Sequence, residues 1–304
     1  MIDSVLGVFL LLLVGYGAKK LRLLRAEDSN VLNEIVIYIT LPALIFTVLY
    51  GYKANLSLSI ARVPIVGFVM IAVVLAAAYG IGRAMRLDSG TLAGFILAAG
   101  FGNTGFLGYP VTQAAFKDPS ALVTAVLYDE FGMALPLYII GLVITAVLAG
   151  QKAHYSQVTQ AFKYPQLWAI PIALLLRQSH CVPHSLIVAI GYLGSGTIPI
   201  VMISLGLMLS ARSMRGYGIP LAVVCMLKLA VLPIVTCYGA RFAGITGTQY
   251  QTTVMEAGMP TAMMVGVLVS KFGENPEFVA GVIFVTTLLS IVTIPATLLL
   301  VGAR

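Results

Sequence analysis

The sequence predicts an all-α membrane protein with ten transmembrane helices in two inverted five-helix repeats. Of its 304 residues, 60% are hydrophobic and only 10% are charged, and the mean hydropathy is +1.00. Soluble domains are about half apolar and about a quarter charged. A bilayer crossing needs about 20 apolar residues, so this length accommodates ten crossings. The third observation is a set of prolines and glycines in the first half that recurs in the second.

The ten spans are separated by polar or charged residues. They cover residues 4–22, 31–50, 62–83, 90–117 and 120–149, then 164–177, 185–211, 216–243, 248–271 and 276–302. The runs are continuous and far longer than about ten residues, which excludes the strands of a β-barrel. We predict Asn30 as the N-cap of the second helix. Residues 1–150 then form the first repeat and residues 151–304 the second.

Basic residues orient these spans, because they accumulate at the cytoplasmic ends of transmembrane helices. The first span has no basic segment before it, so we expect a membrane helix rather than a cleaved signal. With the N-terminus outside, eleven basic residues flank cytoplasmic ends and six flank outer ends. The cytoplasmic set is Lys19, Lys20, Arg22, Arg25, Arg83, Arg86, Lys152, Lys163, Arg212, Arg215 and Lys271; the outer set is Lys53, Arg62, Lys117, Arg177, Arg241 and Arg304. We predict a multi-pass protein of the plasma membrane, the inner membrane of a bacterium, with both termini outside.

The two halves share an ordered set of proline and glycine positions. The pairs are Leu41-Pro42 with Ile198-Pro199, Gly82-Arg83 with Ala240-Arg241, Gly108-Tyr109-Pro110 with Gly258-Met259-Pro260, Asp118-Pro119 with Asn275-Pro276, and Pro136 with Pro295. The offsets lie between 150 and 159 residues. Each half has an odd number of spans, so the second half must enter the membrane from the opposite side. Inverted repeats of this kind are typical of secondary transporters.

The fourth and ninth spans should each be broken in mid-membrane. Four glycines and Pro110 interrupt the fourth span, and Gly258-Met259-Pro260 interrupts the ninth. Unpaired backbone is tolerated at this depth only where it is buried in protein or lines a cavity. We expect the C-terminal halves to begin near Pro110 and Pro260, with their amide donors and positive dipole ends converging on an anion. The predicted substrate-binding residues are Asn103, Thr104, Gly105, Gly108, Pro110, Gly258, Met259 and Pro260.

The segment Asn103-Thr104-Gly105-Phe106-Leu107-Gly108-Tyr109-Pro110 resembles the N-T-x-x-x-G-x-P motif of the auxin efflux carrier family. That family includes plant auxin carriers and bacterial malate and malonate carriers. Further matches are Leu41-Pro42, Tyr128-Asp129, Glu256 to Pro260, Lys271-Phe272-Gly273, Asn275-Pro276 and Pro295, so the resemblance spans essentially the whole chain.

The resemblance implies a fold related to the bile acid sodium symporters. Spans 1, 2, 6 and 7 would form a scaffold, and spans 3–5 and 8–10 a moving transport domain. It also implies that Asn103 contacts the substrate carboxylate. The second crossover has no asparagine near Pro260, and the cytoplasmic loop is short, at about residues 150–163. Both departures favour the bacterial small-acid branch over auxin.

Ionisable residues within the spans are costly and therefore mark functional positions. Asp129 and Glu130 lie in the middle of the fifth span, Lys228 lies within the eighth, and Glu256 stands just before the second break. We predict that Asp129, Glu256 and Thr104 form the cation-coupling site, which binds Na⁺ or a proton. Glu130 and Lys228 are candidates for a structural ion pair.

The sequence favours a secondary active transporter that moves a small organic carboxylate by alternating access, coupled to Na⁺ or H⁺. A passive anion channel or facilitator and a bile-acid-type sodium symporter are the alternatives. An enzyme is not expected, because no H-E-x-x-H or G-x-S-x-G motif is present. The basic residues that give the net charge of +7 stand between apolar runs, so they do not indicate nucleic-acid binding.

No cofactor is expected apart from a possible bound Na⁺. The three cysteines show no metal-site spacing, and Pro183 disfavours a helical His180–His184 metal pair. The partners that we predict are the carboxylate, the lipid bilayer and a second copy of the chain. The small residues Gly194-Ser195-Gly196 suit a scaffold contact or a homodimer interface.

Overall fold

A computed structural model describes residues 2–54, 58–151, 159–179, 182–209, 217–272 and 275–303. Within these ranges all regular structure is helical. Each predicted apolar run contains a helix, or two half-helices, whose outer ends lie within three residues of the predicted ends. His180, Cys181, Lys152, Arg212, Arg215, Gly273 and Arg304 lie outside the described residues.

The helices are numbered here with their internal π-helical turns included. They are α1 (Ile2–Lys20), α2 (Asp28–Gly51), α3 (Arg62–Ala84), α4 (Ser89–Gly100), α5 (Tyr109–Ala115), α6 (Pro119–Leu148), α7 (Pro165–Ser179), α8 (His184–Met208), α9 (Gly218–Phe242), α10 (Gly247–Ala257), α11 (Met263–Lys271) and α12 (Pro276–Leu300). Seven of these described helices are long and apolar enough to cross a membrane: α1, α2, α3, α6, α8, α9 and α12. The pairs α4/α5 and α10/α11 are the halves of the two interrupted spans.

Prolines widen four of the spans. The π-helical turns Val36–Thr40, Thr104–Gly108, Tyr128–Ala134 and Leu227–Val231 each end two residues before a proline. Proline has no amide proton and clashes with the carbonyl four residues earlier, which falls inside each of these turns. Wide turns of this type are frequent at functional sites. Asp129, Glu130 and Lys228 all lie in them.

The helices pack most extensively in two groups. In the first, α1 packs along α8, and α2 packs against α7 and α8. In the second, α3 packs against α4, α6 and α9, α10 packs against α6 and α9, and α11 packs against α12. The half-helix α5 also contacts α1, so the first broken span lies where the two groups meet.

Glycines allow the closest approach within the first group. A methyl group on Gly15 of α1 would lie 2.9 Å from Cα of Ile203, and one on Gly206 of α8 would lie 2.7 Å from the Tyr16 nitrogen. Gly194 is used in the same way, because its added methyl would lie 3.0 Å from Cα of Leu44 in α2. The predicted use of Gly194 as a scaffold contact is therefore seen within the chain, and this glycine is not free to face a second copy.

We expect Gly15→Ala to lower the thermal unfolding midpoint of the purified protein, because overpacking a tight contact costs about 1–3 kcal/mol. Gly17, two residues along α1, has no neighbour within 4 Å of the position that a methyl group would take. Gly17→Ala should be neutral or stabilising by up to about 1 kcal/mol through helix propensity. Equal midpoints for the two variants would contradict the α1–α8 contact.

Candidate functional site

The two interrupted spans cross and bond to each other through their breaks. After α4 ends at Gly100, Phe101 is extended with φ −88° and ψ 123°. The Asn103 amide donates to the Pro260 carbonyl at 2.7 Å, and the Ala262 amide donates to the Phe101 carbonyl at 3.0 Å. This pair of antiparallel hydrogen bonds satisfies backbone groups that would otherwise be unpaired inside the membrane.

The position of the first break differs from the expectation. The second half of the fourth span begins with the π-helical turn at Thr104, six residues before Pro110. Pro110 is the second residue of α5, where its missing amide is tolerated at a helix start. Pro260 does lie in the second break, opposite Asn103. Pro110 and Pro260 therefore match in sequence but do not occupy equivalent positions at the crossover.

Three glycines of the first crossover each face a buried ionisable side chain. A methyl group on Gly102 would lie 3.1 Å from Nζ of Lys228. On Gly105 it would lie 2.8 Å from Oδ2 of Asp129, and on Gly108 it would lie 2.8 Å from Cδ of Glu256. These glycines recur every third residue because each leaves the space that a charged or polar group occupies.

Asp129 is buried and accepts two hydrogen bonds from the first crossover. The donors are Oγ1 of Thr104 and, at 2.7 Å, the hydroxyl of Tyr109. The structure thus brings together Asp129 and Thr104, two of the three residues predicted for the cation-coupling site.

Glu256, the third residue of that set, has other partners. Its side chain is fully buried, and Oε1 accepts a hydrogen bond from Oγ1 of Thr112 at 2.8 Å. Oε2 has no hydrogen-bond partner in the part of the chain that the structure describes. The two carboxylates therefore contact different positions of the π-helical turn that precedes α5, Asp129 at Gly105 and Glu256 at Gly108.

The structure does not bring Glu130 and Lys228 into an ion pair. Nζ of Lys228 donates to the Ala257 carbonyl at 2.7 Å. Glu130 instead lines a small space with Tyr138, Tyr164 and Gln166, and its Oε1 has no hydrogen-bond partner among the described residues.

A cavity of about 250 Å³ lies at the crossover, between the two helix groups. Asn103, Gly105 and Asp129 line it, together with apolar and aromatic side chains of both groups. Six other predicted substrate-binding residues are buried and do not line this cavity: Thr104, Gly108, Pro110, Gly258, Met259 and Pro260. They shape the backbone behind its wall.

Three amide side chains of the cavity wall were not predicted from sequence. They are Asn30 and Asn33 of α2 and Gln166 of α7. The helix α2 begins at Asp28, so Asn30 lies inside it and is not its N-cap. A polar residue near the end of an apolar run is the only sequence signal for such positions, and helix ends show it commonly.

Two crossed, interrupted helices with a cavity beside their breaks are the arrangement typical of membrane transporters. The chain belongs to the family described as membrane transport protein, the auxin efflux carrier family, whose model matches residues 1–298. It is 33% identical over 293 residues to an uncharacterized transporter of Methanothermobacter thermautotrophicus, with 96% of each chain covered. It is 30% identical over 299 residues to an uncharacterized transporter of Methanocaldococcus jannaschii, again with 96% of each covered.

A more distant relative has a named substrate. The Rhizobium meliloti protein called "Putative malonate transporter" is 25% identical over 310 residues, which cover 98% of this chain and 94% of that protein. Together with the family match, these relatives establish a multi-pass membrane transport protein.

Proposed function

We propose that this protein is a secondary active transporter of a small organic carboxylate, such as malonate or malate, that works by alternating access of the elevator type. The observation that carries the proposal is the cavity at the crossing of the two interrupted helices, which Asn103 and Asp129 line. Cavities at the interface of repeats with discontinuous helices are the usual substrate sites of such transporters.

The carboxylate would bind where the second half-helices begin. The Leu107 and Gly108 amides bond to the Asn103 carbonyl, so the Thr104, Gly105 and Phe106 amides precede the first intrahelical hydrogen bond. Gly105, Phe106, Met263 and Met264 all line the cavity. Amides at two helix N-termini, together with the Asn103 side chain, can bind an anion although the site has no positively charged side chain.

The two packing groups support a division into a scaffold of α1, α2, α7 and α8 and a transport domain of α3–α6 and α9–α12. These groups combine elements of both repeats, residues 1–150 and 151–304. The cavity has walls from both groups, with Asn33 and Met208 on one side and Asn103 and Met263 on the other. Sliding of one group past the other would therefore change access to the site.

The residues of α2, α7 and α8 that line the cavity lie near the N-terminal ends of α2 and α7 and near the C-terminal end of α8. With both termini outside, these ends lie on the cytoplasmic face. We therefore assign this conformation to an inward-facing state of the transport cycle.

Coupling to Na⁺ or H⁺ is assigned to the two buried carboxylates. Asp129 with the Thr104 and Tyr109 hydroxyls is a set of oxygen atoms of the kind that Na⁺ accepts. Glu256 has one unpartnered oxygen among the described residues, which could accept either a cation or a proton. Movement of the ion with the substrate makes the protein a symporter.

We expect the purified protein in proteoliposomes to accumulate radiolabelled malonate or malate above equilibrium under an inward Na⁺ or proton gradient. A passive channel or facilitator would let the acid enter only until its concentrations on the two sides are at equilibrium. Uptake that stops at equilibrium would therefore contradict active transport. If uptake of radiolabelled malonate and of malate never exceeds uptake by protein-free vesicles, the proposed substrate class would be contradicted.

We expect Asn103→Ala to weaken carboxylate binding by about 1–3 kcal/mol, because the buried carboxylate would lose its hydrogen bond with the Asn103 side chain. Isothermal titration of the purified protein would measure this change. Gln178→Ala, at an exposed amide in the last turn of α7, is the control and should bind like the parent. Parental affinity in Asn103→Ala would place the acid elsewhere.

We also propose a homodimer built on the scaffold helices, which would remain still while the transport domains move. Apolar side chains of this group remain on the surface, including Leu175 and Tyr192, which are 71% and 76% exposed. We expect two-step photobleaching of singly labelled protein in native-like bilayers. Predominantly one-step bleaching, after correction for labelling, would contradict the dimer.

A further inference from the structure

Lys228 lies behind the crossover, where the proposed substrate cavity does not reach. Its side chain is 1% exposed, and it lies in the π-helical turn of α9. Nζ donates to the Ala257 carbonyl at 2.7 Å, and within the described ranges no carboxylate forms an ion pair with it. A cation in the membrane core is costly, so its surroundings must supply compensating negative charge.

The Ala257 carbonyl is the natural place for a cation. It belongs to the last residue of the half-helix α10, where carbonyls lack amide partners and carry the negative end of the helix dipole. In a continuous helix the Thr261 amide would bond to this carbonyl. Here that amide donates to Oγ1 of Thr286 at 3.2 Å, and Nζ of Lys228 bonds to the carbonyl instead.

In transporters with interrupted helices, such C-terminal carbonyls often coordinate the coupling Na⁺. The residue before Ala257 is Glu256, whose buried carboxylate acts electrostatically on the Lys228 ammonium. A carbonyl at a half-helix end beside a buried carboxylate is a donor set for a monovalent cation. The ammonium already occupies it.

We propose that Lys228 is a built-in cation that takes the place of a metal ion at the second crossover. Its ammonium bonds to the end of α10, balances Glu256 and stabilises the break. Gly102 is required because the ammonium packs directly against it. This deepens the proposed function, and it confines any bound Na⁺ to the Asp129–Thr104 side of the first crossover.

Thermal unfolding of purified protein tests the proposal without a transport assay. The parent for this experiment is Asp129→Asn, which removes the charge of the other candidate cation site. Midpoints would be compared in NaCl, methylammonium chloride and choline chloride at equal ionic strength. We expect no specific effect of Na⁺ or methylammonium while Lys228 is present.

Adding Lys228→Ser should lower the midpoint in choline and create a response to the small cations. Methylammonium or Na⁺ should then raise the midpoint progressively with concentration, because a ligand that binds only the folded state stabilises it. Lys117→Ser, at an exposed lysine, is the matched control and should show neither effect. A folded Lys228→Ser variant without any response to these cations, or a specific Na⁺ response while Lys228 is intact, would overturn the proposal.

A second pair of variants covers the case in which Lys228→Ser does not fold. Lys228→Met keeps most of the side-chain volume and should lower the midpoint, and adding Glu256→Gln should restore part of the loss by removing the unbalanced carboxylate. No restoration would also overturn the proposal. These are binding and stability measurements, so failure of carboxylate accumulation would contradict the proposed function and leave the cation assignment standing.

Discussion

Glu256→Gln is expected to abolish gradient-driven accumulation of the carboxylate in proteoliposomes. The glutamine keeps the size of the side chain and its contact with Thr112, but it mimics a permanently protonated acid and cannot load or release a proton. In a proton-coupled carrier, exchange of internal for external substrate should continue. In a sodium-coupled carrier, the change removes negative charge close to the Asp129 and Thr104 site, so Na⁺ dependence and uptake should fall together.

Glu277→Gln is the matched control, since Glu277 is exposed in the first turn of α12. It should accumulate substrate like the parent. Counterflow exchange and gradient-driven uptake, measured on the same vesicles, separate the two coupling ions. Full accumulation by Glu256→Gln under either gradient would show that this buried carboxylate is structural.

Gly108→Ala is expected to cause the largest loss among single-methyl additions at the crossover. The new methyl group would lie 2.8 Å from Cδ of Glu256 and nearer still to its carboxylate. The carboxylate would have to leave its hydrogen bond with Thr112, inside a fully buried site. Overpacking costs about 1–3 kcal/mol, so we expect a lower unfolding midpoint. Because the displaced carboxylate is the proposed coupling group, we also expect uptake to fall by about tenfold or more.

Gly266→Ala provides the comparison on the second half-span. Its methyl would make an ordinary contact, 3.6 Å from Cδ1 of Ile283, so stability and uptake should stay near those of the parent. Glu256→Ser shortens the opposing side chain and should recover part of the midpoint lost in Gly108→Ala, a non-additivity expected of residues in contact. Parental uptake and midpoint in Gly108→Ala would contradict the crossover geometry.

The spans and the two interruptions could be predicted from local sequence. A span is defined by a continuous apolar run, and a break by glycine and proline, so neither requires knowledge of distant neighbours. The first break also predicted Asn103 for the site, and the family resemblance favoured Asp129; both residues line the cavity. The first break was predicted too close to Pro110, because proline marks a helix start as well as a helix interruption.

The partners of the buried charges could not be predicted in this way. The sequence did not show that Asp129 contacts Gly105 or that Glu256 contacts Gly108. Lys228 was matched to Glu130 by charge, but it bonds to a backbone carbonyl. A carbonyl is present at every residue, so sequence does not show which one is left free by a distant helix break.

By itself, the sequence determined that this protein is a helical membrane transporter of the auxin efflux carrier family with two interrupted helices, since hydropathy, proline and glycine act within a few residues. Only the tertiary structure decided which breaks bond to each other, which hydroxyl each carboxylate accepts from, and that Asn30, Asn33 and Gln166 line the cavity. These contacts join helices far apart in the chain. They depend on the rotation of each helix and on its crossing with the next, which no local pattern specifies.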